Sequence, residues 1–301
     1  MYAIMGATGN VGGKVADILL GRGERVRVIA RSEDKLKPFK DRGAEVAAGD
    51  ASDAAFLTRA FIGVDAAFTI IPGNMTAPDY RAFQNKIGES IATAIKESGV
   101  KYVVNLSSLG ADLAEGTGPI KGLHDQEQRL NKLEGVNILH LRPTYYMENL
   151  LWTIDMIISK GIIGDPIKSD LKMALIATRD VAKAAADHLV TKSFSGKSVK
   201  ELLGQRDLTM DEAAKIIGRK IGKQDLKYVT FSYEDSYKGF VAAGMSEDVS
   251  RLFVEMGKGM NDGLFGTGKT PRTRENTTET AFEEFADYFD RVYRGRVKKA
   301  A

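Results

Sequence analysis

An α/β fold is what this sequence predicts: a Rossmann-like order of strands and helices giving a doubly wound, mostly parallel sheet, followed by a smaller, mainly helical C-terminal lobe. Three observations carry that expectation. Short β-rich runs alternate with amphipathic helices through the first half. A glycine-rich segment, GATGNVG at residues 6–12, follows the first run and opens the first helix. After Pro143 the alternation gives way to helices. Strands that are separated by helices pair in parallel, and the helices then cover both faces of the sheet.

The elements follow in order. Residues 2–5 form a short apolar strand, and residues 10–20 a helix with Val11, Val15, Ile18 and Leu19 on one face. A second strand, RVRVIA, spans 25–30, a short helix 33–39, a third strand 44–47, and a helix 54–61 that ends near Gly63. A fourth strand at 66–71 is stopped by Pro72 and Gly73. The long helix 80–98 ends at Gly99, the residue type that suits a left-handed C-cap. A fifth strand (102–106), a helix (125–133) and a sixth strand (137–141) lead to Arg142 and Pro143. Beyond them lie a helix at 149–159, irregular chain with short strands at 161–176, a helix at 178–190 and a strand at 197–203. Residues 209–221 form a helix that starts on Thr209 with Glu212 three residues on, a capping box. Helices at 233–243, 246–257 and 280–293 complete the lobe.

Composition excludes several classes of function. The 301 residues carry no cysteine and three histidines, His124, His140 and His188, so thiolate zinc, iron–sulfur and cysteine-nucleophile chemistry have no ligands and no metal site is expected. Net charge is +3 with both signs interspersed, which gives no basic stripe for nucleic acid. No apolar run reaches the roughly 18 residues that span a bilayer, and no charged leader precedes an apolar run; the expectation is a cytoplasmic protein without a membrane contact. The GTGKT segment at 266–270 lacks the GxxxxGK[ST] spacing and a preceding strand, so it reads as a loop. Met245, Met256 and Met260 read as packing, and the basic run 294–299 as a solvated, frayed helix end.

The glycine segment has a physical rationale. Gly6 permits a tight turn, Gly9 lets backbone approach a pyrophosphate, and Gly12 allows close packing of helix on strand. Thr8, Asn10 and Val11 complete the loop, and the helix start offers oriented N–H groups to an anion. At the end of the second strand, dinucleotide domains that prefer NAD carry an acid for the ribose hydroxyl. Here Arg31 stands there, with Lys35 one turn on. A guanidinium pairs bidentately with phosphate, so the cofactor expected is NADP (NADPH), its 2′-phosphate on Arg31 and Lys35. The nucleotide-binding core is expected over 1–150 and 172–204, the smaller lobe over 151–171 and 205–301.

With GATGNVG, VIARS and the Gly49-Asp50 pair, the chain resembles the NmrA-like family of atypical short-chain dehydrogenases/reductases. NLSS at 105–108, LRPTYYMENL at 141–150, TRDVA at 178–182 and TAFEEFA at 280–286 agree with it. The family includes quinone-reductase-like enzymes and NADP-sensing regulators. The resemblance implies that Asp50 and Ala51 lie near the adenine, that Ile71 and Pro72 pass beneath the adenosine ribose, that Ser107 faces the nicotinamide, and that Pro143 to Tyr145 flank it.

Alcohol-oxidising relatives use a Tyr-x-x-x-Lys pair in the helix after the strand-five serine. Here those positions hold Pro119 and Leu123 when Glu127 is matched to the glutamate that follows the lysine; a one-residue shift brings His124 to the lysine position. Two readings of His124 stand: a proton-transfer or ribose-binding group, whose ordinary pKa suits it, or a helix-surface histidine. Tyr145 is the second catalytic candidate. Tyr145, Tyr146, Met147 and Trp152 form either an aromatic wall over the nicotinamide or core packing. The function expected is an NADPH-dependent reductase of quinones or similar small electrophilic acceptors, since hydride transfer to an electron-poor ring asks little acid catalysis. The alternative is a non-enzymatic NADP(H)-binding redox sensor of the NmrA-like type acting on a protein partner. The missing Tyr and Lys favour the sensor, and the lack of any recognition tail speaks against it.

Overall fold

The computed structural model describes residues 1–266 and 268–300, with no side-chain detail at 299 and 300. Thr267, in the 266–270 loop read from the sequence, and the side chain of Lys299 in the basic run lie outside the described residues. The chain divides into two compact units. The first comprises residues 1–114, 119–142 and 181–200; the second comprises 115–118, 143–180 and 201–301. Residues 115–118, 143–150, 172–180 and 201–204, which the sequence reading groups with the nucleotide-binding core, cluster with the second unit.

The first unit is built on β1 (Tyr2–Met5), α1 (Gly12–Gly21), β2 (Val26–Ala30), α2 (Glu33–Lys40), β3 (Glu45–Ala48), α3 (Ala54–Phe61), β4 (Ala66–Thr69), α4 (Tyr80–Ser98), β5 (Tyr102–Leu106) and α5 (Lys121–Asn131), with β6 (Asn137–Pro143) at its end. Two strands, β7 (Tyr145–Tyr146) and, after α6 (Ile154–Lys160), β8 (Ile162–Asp165), are followed by β9 (Met173–Ile176), α7 (Thr178–Thr191) and β10 (Lys197–Leu202). The seven-stranded sheet has the order β10-β6-β5-β4-β1-β2-β3. Strands β1 to β6 pair in parallel, Tyr2 opposite Val26 on one side and Ala66 on the other. The order 3-2-1-4-5-6 reverses at β1, and the crevice at such a switch point, outside the carboxyl ends of the strands, is where doubly wound sheets bind ligands.

Burial explains the layering. β1 and β4 are buried at every residue, as central parallel strands must be when both faces are covered. On one face Ala3, Met5 and Val103 pack with Leu57 and Phe61 of α3 and with Ile87, Ile91 and Ile95 of α4. Each such fully buried Leu, Ile or Phe contributes about 1.5–3 kcal/mol. Gly99 closes α4 at φ 74°, the left-handed C-cap its position predicts.

The second unit holds a three-stranded sheet in the order β11-β9-β7, with β11 at Asp207–Leu208, and a pair formed by β8 and β12 (Lys227–Thr230). Its helices are α8 (Met210–Ile221), α9 (Tyr233–Ala242), α10 (Glu247–Asn261) and α11 (Phe282–Ala300). Thr209 and Glu212 form the expected capping box at the start of α8. The single helix expected over 149–159 is instead a 3-10 stretch, Met147–Thr153, followed by α6. The Thr153 hydroxyl donates to the Leu150 carbonyl three residues back, a bond that suits the tighter winding. The basic C-terminal run does not fray: α11 continues through it, with Arg294 paired to Asp290 and Arg296 to Asp155. Among the described residues no helix is long and apolar enough to cross a membrane.

Candidate functional site

The loop after β1 is shaped by two glycines. Gly6 has φ +66°, where a side chain is strained, and a Cβ there would sit 2.9 Å from Ile70 Cγ2. At Gly12 a Cβ would lie 2.5 Å from the carbonyl oxygens of both Met5 and Gly6, so only glycine lets α1 start this close to the strand. The Gly9 N–H donates back to the Gly6 carbonyl at 2.9 Å and the Gly13 N–H to Gly9 at 3.1 Å.

The helix that this loop opens is left without a cap. No side chain bonds the first turn of α1, the N-cap position is held by Val11, and the turn contains no acid. By contrast Ser32, Asp53, Asp79, Thr209, Ser232 and Ser246 cap α2, α3, α4, α8, α9 and α10. A helix start with neither cap nor carboxylate keeps its partial positive charge and its N–H donors for an external anion.

Beside this helix start the strand ends surround a cleft of about 280 Å³, lined by Gly6 and Thr8 of the loop, Arg31 after β2, Asp50 and Ala51 after β3, and Pro72 after β4. Its charged groups are few. The arginines in the first 42 residues are Arg22, Arg25, Arg27, Arg31 and Arg42. Four of them are held in ion pairs, Arg22 with Asp187, Arg25 and Arg27 with Glu45, and Arg42 with Asp17. Arg31 is exposed and has no ion pair among the described residues. Asp50 turns its Oδ1 onto the Ser52 N–H at 2.8 Å; that bond, aided by the charges of Arg31 and Lys86, holds its carboxyl below the usual range.

Several expected residues sit elsewhere. Lys35 is exposed on α2, its backbone N–H directed to the Ser32 cap, and it does not line the cleft. Ile71 packs into the core without lining the cleft, while Ile70, itself packed against the same core, and Pro72 line it. Gly9, Asn10, Val11 and Gly12 shape the loop and helix start without lining the cleft themselves. The sequence reading missed Phe83 and Lys86, which reach the cleft from α4. They stand three residues apart on one helical face with Ile87 beside them, a spacing common to amphipathic helices that does not single them out in the sequence.

Further along the sheet, Ser107 is only 4% exposed and its Oγ donates to Glu127 Oε1. The Glu127 carboxylate is gripped by Arg142, Nε at 3.0 Å from Oε1 and Nη2 at 2.6 Å from Oε2. Ser107 therefore has lone pairs to offer a ligand, while its proton is committed to Glu127. On α5, half-buried His124 has Nδ1 at 2.9 Å from the Ala111 carbonyl. A carbonyl only accepts, so Nδ1 carries the proton and Nε2 of the neutral ring keeps its lone pair.

Pro143 and Tyr145 belong to the second unit. Burial, with Asp165 adding to it, pushes the Tyr145 phenol well above its ordinary value; it is a neutral hydrogen-bonding group at neutral pH, not a base. Burial also pushes the Asp165 carboxyl up to about 6. The four aromatic-wall candidates separate: Met147 is buried, while Trp152 is 58% exposed and packs on Phe253, ring centroids 6.5 Å apart.

The sequence profile of the NmrA-like family matches residues 2–286. The chain belongs to that family. Among its curated relatives, quinone oxidoreductase 2 of Escherichia coli is 29% identical over 279 residues, 90% of this chain and 92% of the relative. A (4-alkanoyl-5-oxo-2,5-dihydrofuran-3-yl)methyl phosphate reductase of Streptomyces griseus is 30% identical over 223 residues, 74% of each chain. Among solved structures, the Escherichia coli NADPH-dependent quinone oxidoreductase complexed with NADPH superimposes with a TM-score of 0.81 at 26% identity, covering 96% of this chain and 99% of that one. The fold is shared with Citrobacter triphenylmethane reductase complexed with NADP(H), at a TM-score of 0.78, 22% identity, and coverage of 96% and 100%.

Proposed function

We propose that this NmrA-like chain binds NADP(H) and is an NADPH-dependent reductase of quinones or similar small electrophilic acceptors. One observation carries the cofactor: Arg31 stands at the end of β2 without an ion pair among the described residues, in the same cleft as the loop that opens uncapped α1. The donor set fits a dinucleotide with a 2′-phosphate. Free N–H groups at the start of α1 suit the pyrophosphate, and the Arg31 fork suits the phosphate on the ribose. Asp50, kept ionised, offers an acceptor to an adenine amino group.

A bound reduced nicotinamide supplies a hydride, and reduction of a quinone to its hydroquinone consumes that hydride and a proton. The chain's part is to position, exclude water and handle the proton. His124 Nε2 can hold that proton and deliver it to the reduced oxygen, Nδ1–H staying on the Ala111 carbonyl throughout. Ser107 contributes an acceptor fixed in place by Glu127. Two relatives support a small electrophilic acceptor by what their names state: a quinone oxidoreductase and a reductase of an unsaturated lactone phosphate.

The test is NADPH consumption by the purified chain with 1,4-benzoquinone. The expected result is one NADPH oxidised per quinone reduced, slowed about tenfold or more in His124→Ala. Tight NADPH binding with no turnover across quinones, aldehydes and enones would instead make the chain a sensor, as Pro119 and Leu123 at the Tyr and Lys positions suggest. No binding at all would remove both functions.

A further inference from the structure

The cleft holds three charged side chains, Arg31, Asp50 and Lys86. Asp50 poses a problem for an NADP site. Its carboxylate is kept ionised by the Ser52 N–H, and a phosphate monoester carrying about two negative charges is repelled by it. Arg31 and Asp50 together sum to zero, so Asp50 offsets part of the attraction that Arg31 exerts on the phosphate that distinguishes the two nicotinamide cofactors. Lys86 brings the sum to +1. It is exposed, has no ion pair among the described residues, and rises from a rigid base, since its neighbour Ile87 is buried in the core that fixes α4 to the sheet. Lys35, the second cation that sequence spacing suggests, lies outside the cleft.

We propose that Lys86 is a specificity-determining residue: by offsetting Asp50 it leaves the cleft with the net positive charge that favours a 2′-phosphate. The proposal rests on the NADP(H) reading above. Lys86 acts through the field in the cleft, so it is a positioning charge, not a catalytic residue. Its effect falls on NADPH more than NADH, weakens with added salt, and opposes that of Asp50, since the two charges act on the phosphate additively.

Calorimetric titration of NADPH and NADH tests this on wild type, Lys86→Gln, Lys86→Arg, Asp50→Asn and the Asp50→Asn/Lys86→Gln double variant, with thermal unfolding as the check on folding. Lys86→Gln is expected to weaken NADPH about fivefold and NADH less than about twofold at low salt. Lys86→Arg is expected to keep the wild-type ratio. Asp50→Asn alone is expected to strengthen NADPH over NADH, and in that background Lys86→Gln is expected to cost about the same fivefold. An unchanged NADPH-to-NADH ratio in Lys86→Gln, or a ratio that Asp50→Asn does not raise, overturns the inference while leaving NADP(H) binding intact. A wild type that binds NADPH no better than NADH, or binds neither, overturns the cofactor reading itself, and the role of Lys86 with it.

Discussion

At the β1–β2–β3 side of the sheet the start of α1 is uncapped, and Arg31 and Lys86 have no ion pair among the described residues. Three strands away, at β4–β5–β6, polar groups close on one another. Ser107 donates to Glu127 and Glu127 is held by Arg142. Beside them the Thr69 hydroxyl donates to Asn105 Oδ1 at 3.0 Å, Asn105 Nδ2 donates to His140 Nδ1 at 3.2 Å, and His140 Nε2–H donates to Asn131 Oδ1 at 3.0 Å. Leaving a buried donor or acceptor unmade costs about 1–3 kcal/mol, so a folded chain closes such groups wherever it can. The side that stays open is exposed to water and can wait for a ligand. The closed side fixes the register of β4, β5 and β6 and gives up its polar groups to do so. One sheet thus keeps its phosphate end ready for a charge from outside and its serine end already committed.

The sharpest way to break this contrast is at Glu127, which is 1% exposed. Glu127→Ala removes the partner of Arg142, itself only 12% exposed, and leaves the Ser107 hydroxyl without its acceptor. Asp112, 3.6 Å from Arg142, offsets part of the stranded charge. The expected loss is about 3 kcal/mol or more in urea unfolding at pH 7. A loss under about 1 kcal/mol would mean that the serine end is not closed in the way its hydrogen bonds imply.

The closed chain through His140 makes a prediction about pH. Burial pushes the His140 imidazole down to about 4 from an ordinary 6.5, against the opposing pull of Glu127. Its folded-state value lies below its unfolded one, so between those values the unfolded chain takes up a proton that the native chain refuses. Stability from this group is therefore full above about pH 6.5 and falls as pH drops toward 4, by about 2 kcal/mol on reaching pH 5. His188, shifted down by burial as well, adds a loss of the same sign. The comparison that isolates His140 is wild type against His140→Gln at pH 7 and pH 5. The wild type should lose more on acidification by about 2 kcal/mol; parallel losses would show that this imidazole titrates freely.

How legible each side was follows from where its constraint originates. The open side is written locally. Gly6 needs a positive φ and Gly12 needs the absence of a Cβ, demands that only glycine meets, so the loop could be read without any tertiary contact. That the strands pair in parallel followed from the alternation of runs, whereas their order across the sheet did not. Lys86 could not be read, because an exposed lysine on an amphipathic helix looks like any other until the burial of Ile87, Ile91 and Ile95 sets which way α4 faces. Ile71 is buried in the core while Ile70 and Pro72 line the cleft, a division that the apolar run at 66–71 does not report. The closed side depends on pairs 15 to 36 residues apart, Glu127 with Arg142, Thr69 with Asn105 and Asn105 with His140, and no periodicity reports such pairs. Tyr145 was legible as an aromatic residue but not as a half-buried phenol held neutral, which depends on desolvation and on the Asp165 charge.

The smallest effect is the most diagnostic of the open side. Arg31 is exposed and makes no ion pair among the described residues, so Arg31→Ala should leave unfolding free energy within about 0.5 kcal/mol of wild type. The same change should weaken NADPH by about tenfold, some 1.4 kcal/mol, because a charge-assisted bidentate pair is lost while the uncapped start of α1 still holds the pyrophosphate. NADH, which lacks the 2′-phosphate, should bind both proteins alike. Arg27, on the same strand, is the control: its guanidinium is spent on Glu45 and on the carbonyls of Ala60 and Ile62, so Arg27→Ala should lower stability without changing the ratio of the two affinities. If Arg31→Ala destabilised the fold and left that ratio untouched, the two arginines would have exchanged roles, and the open edge of the sheet would be one more closed one.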